Sequence, residues 1–156
     1  MSHQMEPIII EVTGKPIPWA RTGGGKNTGR FTPANVRAWK EAAGWLAREA
    51  MKGRKPLNGC ITLFVLADFL IPASWPEWKR EAALEGRIEP TGKPDLDNLV
   101  KNVKDALNNI VWIDDAQVVR EIGLKQYSEH PMVRIEVIQR ATSPSNIKRR
   151  EQLEGK

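Results

Sequence analysis

The sequence predicts a single small α+β domain over residues 1–140, in which helices pack on a mixed β-sheet. Two observations predict this class. Along the 156-residue chain, periodic patterns follow the order strand, helix, strand, helix, helix, strand, strand. Residues 59–71 are apolar on both faces, which is typical of a strand inside a sheet. No internal repeat or linker marks a second domain, and residues 141–156 are polar and predict a flexible C-terminal tail.

The N-terminal half supplies the first strands and the first helix. Residues 7–13 (PIIIEVT) predict a strand that ends at Gly14. Thr32 followed by Pro33 is typical of a helix start, with Thr32 as the N-cap and Pro33 in the first turn. We expect this helix to continue to about Met51.

The C-terminal half supplies two helices and two strands. Residues 74–86 predict a short helix. Pro94 prevents a helix from entering from the N-terminal side, so the next helix should begin with Asp95 as its N-cap. Its apolar positions recur at spacings of three and four: Leu99, Val100, Val103, Ala106, Leu107 and Ile110. Residues 118–127 and 132–139 both fit strands, and the short turn between them predicts a hairpin.

Basic residues are concentrated near the N-terminus. The net charge is +5, and no acidic residue lies between Val12 and Lys40. Six basic residues lie in that part of the chain: Lys15, Arg21, Lys26, Arg30, Arg37 and Lys40. This distribution favours a polyanionic partner, with Lys15, Arg21, Lys26 and Arg30 as the phosphate contacts. A solvated basic loop without a partner is the alternative that this feature leaves open.

Several functional classes are disfavoured by the composition. No apolar run approaches the roughly 18 residues of a membrane span, and Met1–Ile10 lacks the features of a signal peptide, so we expect an intracellular protein without membrane contact. The two histidines, His3 and His130, are not placed for a Ser-His-Asp or Cys-His mechanism. No His/Cys cluster predicts zinc, and no GxxxxGK[ST] motif predicts a P-loop.

An acidic cluster is predicted around the start of the third helix. Asp95, extended at the N-cap, can turn its side chain toward Asp97, and Lys101 lies one helical turn further on. Asp114 and Asp115 follow in a turn before the next strand. Each feature alone is equally typical of helix-dipole or turn chemistry. Together, carboxylates at this spacing predict an oxygen-ligated site for Mg²⁺, with Mn²⁺ as a substitute.

The same residues resemble a known family. Lys93-Pro-Asp-Leu-Asp-Asn-Leu, Lys101 and Trp112-Ile-Asp-Asp-Ala-Gln-Val118 resemble the RusA-type Holliday junction resolvases of bacteria and their phages, and the likeness extends over roughly residues 8–139. The resemblance implies a RusA-like α+β homodimer of the cytoplasm. It also implies a Mg²⁺-dependent endonuclease of DNA recombination and repair that cuts four-way junctions by paired symmetric nicks.

Carried over by position, the family's essential carboxylates fall on Asp95, Asp97 and Asp115, and its essential lysine on Lys101. Lys101 beside acids should stay protonated and stabilise charge on the phosphate rather than act as a general base. Asp114 matches the first acid of a pair, without an assigned role. Two alternatives remain: a branched-DNA-binding protein without cleavage activity, and a metal-dependent phosphoesterase acting on other substrates.

Overall fold

The computed structural model describes residues 5–20 and 32–140 of the chain. The predicted tail, residues 141–156, and three of the predicted phosphate contacts, Arg21, Lys26 and Arg30, lie outside the described residues.

Four strands and three helices form one α+β domain with a mixed sheet, as the sequence predicts. In chain order the elements are β1 (Ile8–Thr13), α1 (Ala34–Met51), β2 (Cys60–Leu70), α2 (Glu77–Leu84), α3 (Leu96–Leu107), a 3₁₀ turn (Asp115–Gln117), β3 (Val118–Ser128) and β4 (Met132–Arg140).

The sheet has the strand order β1-β4-β2-β3, so β2 is an interior strand, as its apolar faces predicted. The predicted hairpin of β3 and β4 is wrong, because β2 lies between them. Leu66 of β2 pairs with Leu124 of β3 in parallel and with Arg134 of β4 in antiparallel orientation. A short turn between two strands shows that the chain reverses direction, but a third strand can still lie between them.

The two faces of the sheet have different environments. On one face, alternate residues of β2 such as Leu63 and Val65 are buried in a core shared with α1 and α3. The opposite face, which we call the open face, carries Phe64, Ile122 and Leu124, and the last two are each 51% exposed. Half-exposed apolar side chains on neighbouring strands form a patch that a partner surface can cover.

Local sequence signals predicted the start of α3 correctly, but they did not predict the starts of α1 and α2. α3 follows Asp95, whose φ of −68° and ψ of 146° are those of an extended N-cap, as predicted. α1 follows Pro33 without a side-chain capping bond, so Thr32 is not its N-cap. α2 begins only after Pro76, later than predicted. None of the helices in the described part of the chain has the length and hydropathy needed to span a bilayer.

Candidate active site

The start of α3 presents Asp95, Asp97 and Lys101 to solvent. Its opposite side is buried, with Asn102 and Val103 among the residues that face the core. The helix start also lies close to the sheet at Gly123 of β3. A Cβ added there would lie 3.1 Å from the side chain of Leu96, so a larger residue would require this side chain to shift.

The loop that leads into α3 is fixed by Lys125 of β3. The Lys125 ammonium donates to the carbonyl oxygen of Gly92 at 2.7 Å and to that of Pro94 at 3.0 Å. Because Pro94 directly precedes Asp95, these two bonds set where the extended N-cap residue leaves the loop.

Lys93 is the positively charged residue that interacts with the acidic residues at the start of α3. Its ammonium donates to Asp95 Oδ2 at 2.9 Å, in a pair whose side chains are 84% and 48% exposed. The hydrogen bond to Asp95 is the main reason why the pKa of Lys93 is raised above its ordinary value, and the charges of Asp95 and then Asp97 add to this direction. The sequence pattern placed Lys101 beside the acids and missed Lys93, for which proximity in sequence to Asp95 was the available signal.

Asp114 and Gln117 form a capping box around the 3₁₀ turn. The Asp114 carboxylate accepts from Ala116 N at 2.9 Å, while Gln117 Oε1 accepts from Asp114 N at 2.8 Å and from Ile113 N at 2.9 Å. Gln117 Nε2 donates to the carbonyl oxygens of Leu57 at 2.8 Å and of residue 59 at 3.0 Å. These bonds give Asp114 a structural role, and they tie the turn to the segment that enters β2.

Asp115 is oriented by a buried tryptophan. The Trp112 side chain is fully buried, and its Nε1 donates to Asp115 Oδ1 at 2.8 Å. A buried indole has few alternative positions, so this bond holds the half-buried Asp115 carboxylate in one orientation. The sequence pattern did not predict this function for Trp112.

Lys101 lies against Trp19 rather than among the acids. Its ammonium is 3.5 Å from the centroid of the Trp19 ring, and none of the ion pairs in the described part of the chain involves it. Trp19 N donates to Asn98 O at 2.9 Å, and the fully buried Asn102 donates to Ile17 O at 2.9 Å. The segment around Trp19 is therefore fastened along α3. A polar residue in the apolar stripe of α3 was the signal for Asn102.

A groove adjoins Asp95 on the side of the N-terminal segment. Exposed Lys15 lies in its lining, and it is the one predicted phosphate contact within the described residues. The groove is lined by Lys15, Pro16, Ile17, Pro18, Trp19, Asn35, Phe69, Lys93, Pro94, Asp95 and Asn98. Two lysines and two aromatic rings beside a carboxylate make this groove suitable for a phosphate-bearing strand.

The carboxylates are hard oxygen donors, which fits Mg²⁺ or Mn²⁺ by chemistry. Within residues 5–20 and 32–140, however, no three Asp, Glu, His or Cys side chains form a group that could hold a metal ion. Asp95 and Asp97 both act on Lys93, whereas Asp115 is held separately by Trp112. The two acidic segments thus do not present a preformed three-carboxylate cluster.

Comparisons with known proteins cover nearly all of these elements. The family model described as Endodeoxyribonuclease RusA matches residues 13–138. A Bacillus subtilis (strain 168) protein named "Uncharacterized protein YqaN" is 35% identical over 144 residues, which cover 89% of this chain and 99% of that protein. Because the family model matches most of the chain, from the last residue of β1 into β4, the chain belongs to the RusA endodeoxyribonuclease family.

Proposed function

We propose that the protein is a Mg²⁺-dependent endonuclease that resolves four-way DNA junctions by paired symmetric nicks. The observation that carries this proposal is the start of α3, where Asp95, Asp97 and Lys101 are exposed together within the segment that matches the family. Exposed acids beside an exposed ammonium are suited to act on a phosphodiester that approaches from solvent.

Asp95, Asp97 and Asp115 are the proposed metal ligands, with Mn²⁺ as a substitute for Mg²⁺. When bound, the ion would supply stabilisation of negative charge on the phosphate and a lower pKa of a bound water. The Asp115 carboxylate is already oriented before an ion binds, because Trp112 Nε1 donates a hydrogen bond to one of its oxygens. Lys101 directs its positive charge to the phosphate oxygens as negative charge develops there.

The proposed DNA contacts are Lys15, Arg21, Lys26 and Arg30. Lys15 lies in the lining of the groove beside Asp95, which is where a strand entering the site would pass. Neutralising Arg21, Lys26 and Arg30 together should flatten the salt dependence of junction binding by roughly 0.9 log–log units for each phosphate that the protein no longer neutralises. An unchanged slope would exclude this segment as a DNA-binding element.

The proposed function is tested by incubating the purified chain with a four-way junction, a linear duplex and a single strand, each with Mg²⁺ and with EDTA. Cleavage of the junction alone, dependent on Mg²⁺, supports the proposal. Junction binding without nicking would replace it with the branched-DNA-binding alternative. Hydrolysis of RNA or small phosphate esters with an inert junction would replace it with the phosphoesterase alternative.

We further propose that two copies form a C₂ dimer through the open face, so that two sites meet one approximately two-fold symmetric junction. The half-exposed Ile122 and Leu124 lie beside Phe64 of β2, and this apolar patch can pair with itself. The segment of Trp75 and Trp78 is the competing surface. Trp78 is 67% exposed, whereas Trp75 packs against Tyr127 with ring centroids 5.2 Å apart.

Two matched variants separate these surfaces. Leu124→Glu should produce a monomer in sedimentation at micromolar concentration, because a charge in an apolar interface loses its solvation. Trp78→Glu should leave the dimer intact. The opposite result would assign the interface to the segment of Trp75 and Trp78, and a monomeric wild type would exclude the dimer. Mixing wild type with excess Asp97→Asn should yield junctions nicked on one strand.

A further inference from the structure

The contact between Trp19 and Lys101 joins a residue of the N-terminal segment to the lysine that the proposed function requires. The Lys101 ammonium lies 3.5 Å from the centroid of the indole ring, well within the distance at which a cation is attracted to an aromatic face. Lys101 is exposed, and a lysine on a flexible four-carbon stem has many rotamers when nothing restrains it.

Trp19 is itself held in place. Its backbone N–H donates to Asn98 O at 2.9 Å, about one helical turn before Lys101. Two residues earlier, Ile17 O accepts at 2.9 Å from Asn102, which is fully buried in α3. The backbone at Trp19 is therefore attached to the same helix that carries Lys101, and this attachment keeps the ring within reach of the ammonium.

We infer that Trp19 is a positioning residue for Lys101: its ring face restricts the ammonium to the edge of the groove that Trp19 and Asp95 line, where the phosphate would enter. This inference rests on the proposed function, which it deepens by naming the group that restrains the lysine. A ring that holds the ammonium should affect the rate of cleavage more than the affinity for DNA. The restraint on the ammonium requires only an aromatic ring face, so we expect phenylalanine to be able to replace tryptophan at residue 19.

The contact is tested first in the DNA-free, metal-free protein. In protein labelled with [¹³Cε]lysine, the Lys101 signal, assigned by its loss in Lys101→Gln, should lie upfield of the other lysines because it sits over an indole ring. Trp19→Leu should return it to the ordinary position, and Trp19→Phe should leave part of the shift. Trp45→Leu is the matched control, because Trp45 is a 64% exposed tryptophan of α1. An unshifted Lys101 signal in wild type would overturn the inference.

Single-turnover cleavage then tests the consequence. The strength of a cation–aromatic interaction predicts that Trp19→Leu lowers the cleavage rate by roughly 2- to 30-fold. Junction affinity should stay within about threefold of wild type, and Trp19→Phe should restore most of the rate. Weaker affinity with an unchanged rate would make Trp19 a DNA-binding residue and overturn the inference, as would an unchanged rate when the upfield shift has disappeared. A wild type that binds without cleaving would overturn the proposed function, while the NMR comparison still decides whether the ring holds the ammonium.

Discussion

The two acidic segments of the candidate site are held in opposite ways. Asp115 lies in a turn closed by a capping box, fastened to the entrance of β2 by Gln117 and oriented by the buried Trp112. Asp95 and Asp97 lie at an exposed helix start, where Lys93 is the partner of one carboxylate and a nearby charge for the other.

This difference separates a preorganised carboxylate from two adaptable ones. An exposed ion pair such as Lys93–Asp95 contributes little to stability and is easily exchanged. A bond from a fully buried indole is exchanged only if the core around it moves. If a cation or phosphate enters the site, we therefore expect the helix-start side to adjust while the Asp115 side stays fixed. Four substitutions test whether the two sides differ in this way.

The largest effect is expected from Asp97→Asn. Asp97 is exposed and acts on Lys93 through its charge, so its substitution should leave the melting temperature unchanged. Cleavage should fall by about 10²–10³-fold or more, while junction binding stays equal or becomes tighter. Asp105→Asn is the control on the same helix, because Asp105 pairs with Lys40 away from the helix start. Loss of binding by a folded Asp97→Asn protein would make this segment a recognition element.

Trp112→Phe tests the preorganised side. It removes the indole N–H that holds Asp115 Oδ1, and loss of a bond that orients a proposed metal ligand typically lowers metal affinity or activity by about 10- to 100-fold. Trp39→Phe is a close control: Trp39 is also buried, and its indole N–H has no partner among the described residues. Equal losses in both variants would assign the effect to core packing instead.

Gln117→Ala should show the effect of the capping box on stability. The side chain takes part in four hydrogen bonds, two accepted and two donated. Its removal should lower the free energy of unfolding by about 2 kcal/mol, as measured by urea denaturation. Gln117→Glu retains the acceptor oxygen but places a negative charge against the carbonyl oxygens of Leu57 and residue 59, so it should not restore the lost stability. No measurable loss in Gln117→Ala would contradict a rigid turn.

The smallest effect is expected from Lys125→Met, which frees the loop before Asp95. It removes the bonds to the carbonyl oxygens of Gly92 and Pro94 but keeps an apolar stem. If this side adapts, cleavage should fall by less than the ~10-fold lower bound expected for Trp112→Phe. Lys104→Met, which breaks a pair with Glu121 elsewhere on β3, is the control. A larger loss than in Trp112→Phe would reverse the comparison.

Local rules were sufficient for the elements that carry the candidate site. Pro94 and the apolar spacing of α3 predicted its start at Asp95, and the apolar faces of residues 59–71 predicted an interior strand. The pairing of β3 with β4 failed because turn chemistry acts over a few residues, whereas the insertion of β2 depends on pairing between residues far apart in sequence.

The same distinction between local and long-range interactions explains which features of the candidate site the sequence predicted. Residue type and spacing predicted acids and a lysine at the start of α3, but they could not show which groups these side chains meet. The partners of Asp115 and Asp95, Trp112 and Lys93, are within three residues of them in sequence, yet their roles depend on burial and backbone direction. Trp19 reaches Lys101 from another part of the chain, an interaction that no local pattern in the sequence encodes.

The parallel pairing of β2 with β3 has a consequence for the order of folding. All four acids discussed here lie in the connection that ends at β3: Asp95, Asp97, Asp114 and Asp115. Parallel strands joined by a long connection pair late, because the entropy of closing the connection is lost before the strands gain their hydrogen bonds. We therefore expect both acidic segments to reach their final positions only in the last steps of folding. A chain that is still incomplete, or cleaved within the connection, would then lack the assembled candidate site.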